Sequence, residues 1–358
     1  MKLGIIGLGM RMTHMLNKAF RPNAEDLRVV GVIEPNPERI KEALTPEEQS
    51  EVGVYDTVES LVAGARPDAL LIGTRCNLHA RYACEAAATG LPIYLEKPIA
   101  TSMQQALDIA AAFKKSTSPV VVSFPLRTST MFQEVNALVQ SRDFGRPEHI
   151  LAVNYVPYGN VYFDMWYRDY SITQGLFLQK ATHDFDYLSV LAGAPIVRVA
   201  AMLSQGRVFR DSTTRPKDAA TDEETAVYYD DIGTPETGMN EDSSSALLEF
   251  ANGVKGVYTQ VFFSKGAAET RGATLSNYRG TVSFDWYRNT IRHVPHLGGE
   301  ARQWEVGEAG NHFGGDDVLA RNFFEVIKGQ AASLCPIETG LQSVFACLAA
   351  KESAATGR

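Results

Sequence analysis

Cysteine is scarce in this chain. Four occur in 358 residues (Cys76, Cys84, Cys335 and Cys347), with no metal-ligand spacing among them. Cys84 and Cys347 fall within helix-like patterns and are expected as small core residues, which suits a reducing, cytoplasmic setting. Histidine pairs with ligand spacing are also missing. His293 and His296 sit at odd separation on an expected strand and so face opposite ways, and no metal is expected. Positive charge is in deficit: 34 Lys and Arg stand against 42 Asp and Glu, for a net charge of -8. Nucleic acid and anionic membrane surfaces both need a positive footprint, so neither is expected as a partner. No apolar run approaches the roughly 20 residues of a membrane span. No signal peptide is expected either, because the chain enters a strand-turn pattern directly after Lys2.

What is present is a regular alternation. Through residue 123, apolar runs ("KLGIIGLG", "LRVVGVIEP", "DALLIGTR", "PIYLEKP", "PVVVSFP") alternate with helical patterns. Near-continuous apolar strands separated by helices predict a parallel sheet covered on both faces, the doubly wound Rossmann class of α/β fold. After Phe124 the strands lengthen and alternate in polarity ("HILAVNYV", "IVRVAAML", "SALLEFA", "VKGVYTQVFF", "RGATLSNYRGTVSFDW", "TIRHVPHL"). That predicts a second, α+β domain with an open, mainly antiparallel sheet. The expected division is 1–123 for dinucleotide binding and 124–358 for substrate binding and oligomerisation. Residues 204–245 read as a long polar excursion, and Asp316 or Asp317 as a cap for the helix that follows.

"GIIGLGMRMTHML" holds two of the three glycines of a dinucleotide fingerprint, Gly7 and Gly9, with Leu8, Met10 and Arg11 completing the turn. The third position carries Met12. Gly7 makes the tight turn and Gly9 lets backbone approach a pyrophosphate; the third glycine serves helix–strand packing. Met12 is therefore expected to push the helix slightly away from the sheet while leaving the phosphate contacts intact. A tight strand–helix turn without a ligand reads the same way. Glu34 ends the second strand, where an acid grips ribose hydroxyls and repels a 2′-phosphate. NAD is favoured over NADP on this ground, and NADP stays possible.

Further motifs carry a resemblance. Glu96-Lys97-Pro98 follows the fifth strand, and Thr74-Arg75-Cys76-Asn77-Leu78-His79 precedes it. Arg127 begins "RTSTMFQEV", "FGRPEHILAVNY" leads into a strand, and "EDSSSALLEFANGVKGVY" and the terminal "IETGLQSVFACLAAKESAATGR" complete the pattern. Together these resemble the Gfo/Idh/MocA family of NAD(P)-dependent oxidoreductases, which act mainly on sugars and cyclitols. The likeness covers nearly the whole chain, with departures at Arg75 and Cys76. It implies cofactor contacts from Gly7 through Met12, Glu34, Thr74, Arg75, His79, Glu96 and Lys97. It also implies a catalytic Lys97 near the reacting carbon and a homo-oligomer, dimer or tetramer, built through the C-terminal sheet. A strand-end lysine can hold a substrate hydroxyl and stabilise oxygen charge as hydride leaves.

"GLFLQKATHDFDYLSVLAG" supplies the second set of candidates. The family pattern places an aspartate four residues before a histidine and another three after; here these are Gln179, His183 and Asp186. On a helix they share a face. His183 suits general acid–base work, Asp186 can orient it, and Gln179 cannot carry a proton. The segment is also similar to a Lys-x-x-His branch of the family, which makes Lys180 a substrate-binding candidate. A surface ion pair between Lys180 and Asp184 reads equally well. Trp166, Arg168 and Arg127 are candidates for substrate contact, as Trp offers a face to sugar C–H groups and Arg a fork to oxygen. Tyr155, Tyr158 and Tyr162 read as sheet and loop residues.

The resulting expectation is hydride transfer between a nicotinamide and a secondary alcohol or ketone of a sugar, cyclitol or derivative. Two alternatives stay open. One is a redox-neutral, NAD-dependent enzyme that cleaves a glycosidic bond. The other is a dinucleotide-binding regulator, for which Met12, Arg75, Cys76 and Gln179 argue, and against which Lys97 and His183 argue.

Overall fold

Six short apolar runs form the first sheet: β1 (Lys2–Ile6), β2 (Arg28–Ile33), β3 (Gly53–Val54), β4 (Ala69–Ile72), β5 (Ile93–Leu95) and β6 (Val120–Val122). All pair in parallel, in the order β3-β2-β1-β4-β5-β6. The chain runs outward from β1 to β3 and then returns beside β1 as β4. That reversal is the switch point at whose carboxyl edge doubly wound sheets bind ligands. The strands read as unbroken apolar runs because both faces are covered: Ile5, Leu71, Tyr94 and Val121 are each fully buried.

The structure is a computed structural model and describes residues 1–209, 239–307 and 311–358. It divides into two compact units, Met1–Ser129 with Ala309–Phe345, and Thr130–Glu308 with Ala346–Arg358. In the first unit, the helix Gly315–Ile327 packs Phe323 and Phe324 edge-on against Phe20, which also meets Tyr94 at a centroid distance of 5.0 Å. This aromatic contact explains why a segment so late in the sequence folds with the Rossmann sheet.

The second unit carries an eight-stranded sheet built from β7 (His149–Tyr155), β8 (Ile196–Gln205), β9 (Glu241–Phe250), β10 (Lys255–Val261), β11 (Thr270–Ser276), β12 (Gly280–Asp285), β13 (Thr290–Pro295) and β14 (Arg302–Glu305). Its order is β14-β13-β12-β11-β7-β10-β9-β8, and only β7 and β10 pair in parallel. One face packs on the helix Thr182–Ala192, with Phe185 on Tyr258 and Tyr187 on Trp286. The other leaves Leu151, Met202 and Leu247 exposed; the register aligns Leu151, Val257, Leu247 and Ala200 across four strands. The expected excursion needs correction at its ends, because Ser204–Gln205 and Glu241–Ser245 are strand. Residues 210–238 lie outside the described residues.

Met12 also differs from expectation. It is fully buried, and a Cβ placed on Gly73 would lie 2.7 Å from both its Cβ and its Cε. The room that the third fingerprint glycine usually provides is supplied here by a glycine at the end of β4. Gly73→Ala should therefore destabilise the chain by about 1–3 kcal/mol through overpacking, and Met12→Gly in the same chain, which removes the Cβ as well as the Cε from the contact, should recover part of it. Urea unfolding of the three variants checks this.

Candidate active site

In the first unit, the turn after β1 is tight. Gly7 has φ +84°, and a Cβ on it would lie 2.7 Å from the Thr74 Cα and 2.8 Å from the Thr74 nitrogen, so no other residue fits without movement. Gly9 precedes the helix Met10–Met15, which continues as a wider π turn over Leu16–Phe20. The first helical hydrogen bond runs from Thr13 N–H to Gly9 O, and no side chain caps the helix start. The amides of Met10, Arg11 and Met12 thus have no partner within the helix and point outward from its positive end. This is a cradle for an anionic group, and it fits a dinucleotide pyrophosphate.

Glu34 closes this turn. One carboxylate oxygen accepts from Leu8 N–H at 2.8 Å and the other from Asn36 N–H at 3.0 Å. Arg39 lies 3.8 Å from it. Glu34 therefore braces the glycine turn as well as standing at the strand end where ribose hydroxyls are held.

Arg11 faces inward. Its guanidinium donates to Glu96 at 3.2 Å and forms a two-pronged pair with Asp316 at 2.6 and 2.8 Å. Asp316 is 2% exposed, and His312 Nδ1 lies 2.9 Å from it. Burial by itself would raise this carboxyl; Arg11 and His312 outweigh it and hold the group well below the usual carboxylate range. Asp316 is consequently not the helix cap. Gly314, at φ +82°, occupies that position, and the acid reaches back to Arg11 instead.

Glu96 is the hub of the same network. It accepts from Ser123 Oγ at 2.9 Å, from Arg11, and from the Lys97 backbone N–H at 3.3 Å, while Tyr94 donates to Ser123. These contacts fix the turn on which Lys97 sits at the carboxyl edge of β5. Lys97 is half-buried, and its bond to Pro98 is cis. His79 ties the neighbouring turn to this one. Its Nδ1 lies 2.8 Å from Pro98 O and its Nε2 3.1 Å from Thr74 O, and burial lowers its pKa. The ring thus contacts backbone on both nitrogens, the role of a brace. Thr74 and Arg75 are part-buried beside it. Arg127 donates to Leu334 O at 2.9 Å within the same unit.

In the second unit, the segment expected as one regular helix begins with a π turn, Phe177–Ala181, before the α-helix Thr182–Ala192. The wider turn shifts Gln179 and Lys180 relative to His183 and Asp186, so simple i, i+4 stacking does not hold across the junction. Glu241, fully buried, accepts the Leu176 N–H at the start of this turn. Gln179 donates to Thr173 O at 3.0 Å. His183 and Asp186 are 7% and 3% exposed. Trp166 stacks on Tyr167 at 3.9 Å, and Arg168 is exposed on the same turn.

The surface ion pair between Lys180 and Asp184 does not form. Asp184 is fully buried and pairs with Arg271 at 2.8 and 3.1 Å, with Asn154 and Tyr258 donating to its other oxygen. Lys180 is 5% exposed and donates to the Tyr158 hydroxyl at 2.8 Å. Its Nζ lies 4.7 Å from the Tyr158 ring centre and 5.4 Å from that of Tyr162, within cation–π range. Burial lowers the Lys180 pKa, against the pull of Tyr158. Arg271 belongs to no motif in the sequence, and Tyr158 reads there only as a sheet or loop residue. The only local signal was a cluster of tyrosines before the Lys-x-x-His segment.

Two family models match the chain. Residues 1–124 match the oxidoreductase family with an NAD-binding Rossmann fold, and residues 132–282 match the Gfo/Idh/MocA C-terminal domain. The chain belongs to the Gfo/Idh/MocA family. Among curated relatives, myo-inositol 2-dehydrogenase of Thermotoga maritima is 24% identical over 267 residues, 74% of each chain. YteT of Bacillus subtilis is 26% identical over 136 residues, which span 37% of this chain and 32% of that protein. A solved structure of levoglucosan dehydrogenase, in complex with NADH and levoglucosan, has the same fold: TM-score 0.79, 19% identity, covering 100% of this chain and 98% of that one. As a Gfo/Idh/MocA protein the chain is an oxidoreductase with an NAD-binding Rossmann domain. Among the described residues, no cluster of three or more potential metal ligands occurs, and no helix is long and apolar enough to cross a membrane.

Proposed function

We propose that this oxidoreductase uses NAD in preference to NADP and oxidises a secondary alcohol of a sugar, cyclitol or derivative, or reduces the corresponding ketone. The observation that carries it is the Glu96-Lys97-Pro98 turn at the carboxyl edge of β5, braced by Arg11, Ser123 and Glu96 in the same unit as the glycine cradle. The relatives named above, an inositol dehydrogenase and a levoglucosan dehydrogenase, act on substrates of this class. When bound, NAD supplies the hydride acceptor. The amides from Met10 to Met12 would hold its pyrophosphate, and Glu34 its ribose. Glu34 repels a 2′-phosphate, which supports the preference for NAD.

The residues assigned to the chemistry are Lys97, which holds the alcohol oxygen as charge develops there, and His183, which takes the proton. Lys180, Gln179 and Asp186 support the second role, and Arg127, Trp166 and Arg168 are assigned to substrate contact. The exposed sheet face with Leu151, Met202 and Leu247 supports a homo-oligomer formed through it. On mixing the protein with NAD and a panel of sugars, uronates and inositols, NADH absorbance should rise with some members, and less with NADP. NAD binding with no rise on any of them would move the reading to a redox-neutral enzyme or a regulator.

A further inference from the structure

Lys180 poses a charge problem that the assignments above leave unsolved. A buried ammonium needs a counter-charge, since its desolvation costs several kcal/mol. The acid closest along its helix, Asp184, is committed to Arg271, Asn154 and Tyr258. Among the described residues, no carboxylate forms an ion pair with Lys180. What its Nζ meets is aromatic: the Tyr158 oxygen at 2.8 Å, with the Tyr158 and Tyr162 rings around it.

We propose that Tyr158 is the counter-ion and proton partner of Lys180, a phenolate facing an ammonium, and thereby a positioning residue that fixes both the place and the charge of the Lys180 Nζ. Protonating the pair adds one proton to the Tyr158 oxygen and changes the net charge of the pair from zero to plus one. No other bond forms or breaks.

The groups facing the phenol argue for this. Burial by itself would raise its pKa, but the Lys180 ammonium and the Arg271 guanidinium from β11 outweigh burial and pull it down to about 7. The Tyr287 phenol, beyond β12, also favours the charged form. Asp184 opposes it, but its charge is met by Arg271 at 2.8 Å. Tyr162 packs against Tyr158 at 6.5 Å, and burial raises its pKa well above the ordinary tyrosine value, so it brings no charge at neutral pH; Tyr167 packs against Tyr162 at 5.3 Å. Tyr158 is 46% exposed, so solvent screens part of the attraction.

The contribution to turnover rests on the dehydrogenase reading; the charge state of the pair does not. The test is therefore spectroscopic first. Near-ultraviolet phenolate absorbance of the full chain is titrated from about pH 5 to about pH 9, below the ordinary tyrosine value of about 10. Tyr94, Tyr162, Tyr187 and Tyr258 are all raised by burial, so none of these adds a phenolate in this window. One should appear with a midpoint of about 7, vanish in Tyr158→Phe, and move upward toward about 10 in Lys180→Met. Tyr158→Phe keeps the ring and removes only the hydroxyl, so it disturbs packing least. No phenolate below about pH 9, or one that survives Tyr158→Phe, overturns the proposal. Where a turned-over substrate is in hand, the acid limb of kcat should shift in Tyr158→Phe while NAD affinity stays. The phenolate signal without any turnover would overturn the functional reading and leave the pair standing.

Discussion

Lys97→Ala should lower kcat/KM for polyol oxidation by about a thousandfold, and change NAD affinity by less than about threefold. The size follows from the assigned role. A single positioned donor or acid–base group is worth about a hundredfold to ten-thousandfold, because charge on the substrate oxygen develops only in the transition state. The selectivity follows from the local structure. Glu96 holds the turn through the backbone N–H of Lys97, and Ser123 and Arg11 hold Glu96. Truncating the Lys97 side chain touches none of these bonds, so the turn and the glycine cradle keep their shape. Lys97→Arg should recover only part of the loss, since a planar fork does not reproduce a point charge. Fluorescence titration with NAD and initial rates of NADH formation separate the two effects. Full turnover in Lys97→Ala would remove this lysine from the chemistry.

What was legible in the sequence was local. The strand runs, the glycine turn with its left-handed Gly7, and the Glu-Lys-Pro turn are each contained in a few residues, and their periodicity or turn chemistry speaks directly. What was not legible depends on partners far along the chain. Met12 reads as a misfit until Gly73 is seen to vacate the space beside it. Asp316 reads as a cap because first-turn acids so often are; its true partner, Arg11, is 305 residues away. The same applies to Asp184. Four residues from Lys180, it looks like one half of a surface pair, yet Arg271, 87 residues on, takes it into the interior. The π turn at Phe177–Ala181 compounds this. Spacing rules assume 3.6 residues per turn, and one wide turn changes which side chains of the segment lie together. At the site, then, residue types were readable, whereas their pairing was decided by tertiary contacts.

That buried pairing makes the second large effect one of stability. Arg271→Met should destabilise the folded chain by about 3–5 kcal/mol, because it strands the Asp184 carboxylate in a site with no exposure to water. Arg271 supplies two of the four donors on that acid, and Asn154 and Tyr258, both neutral, supply the others. Neutral donors cannot replace the lost charge, so the acid must either remain ionised at high cost or take up a proton. In a chain of 358 residues the thermal midpoint should fall by roughly 4–7 °C. The double variant Arg271→Met with Asp184→Leu decides between a cost of orphaned charge and a cost of lost packing. If charge is the cause, the double variant should be more stable than the single one, since it leaves no buried charge unpaired: Tyr258 keeps Gln260 as an acceptor, and Asn154 is a neutral donor that loses this one. Additive losses would instead mean that the two residues act independently. In a stable double variant the Tyr158 midpoint should still move upward, because Arg271 is one of the two cations that favour the phenolate, while Lys180 remains. The same substitution thus separates what the ion pair does for the fold from what its cation does for the neighbouring tyrosine.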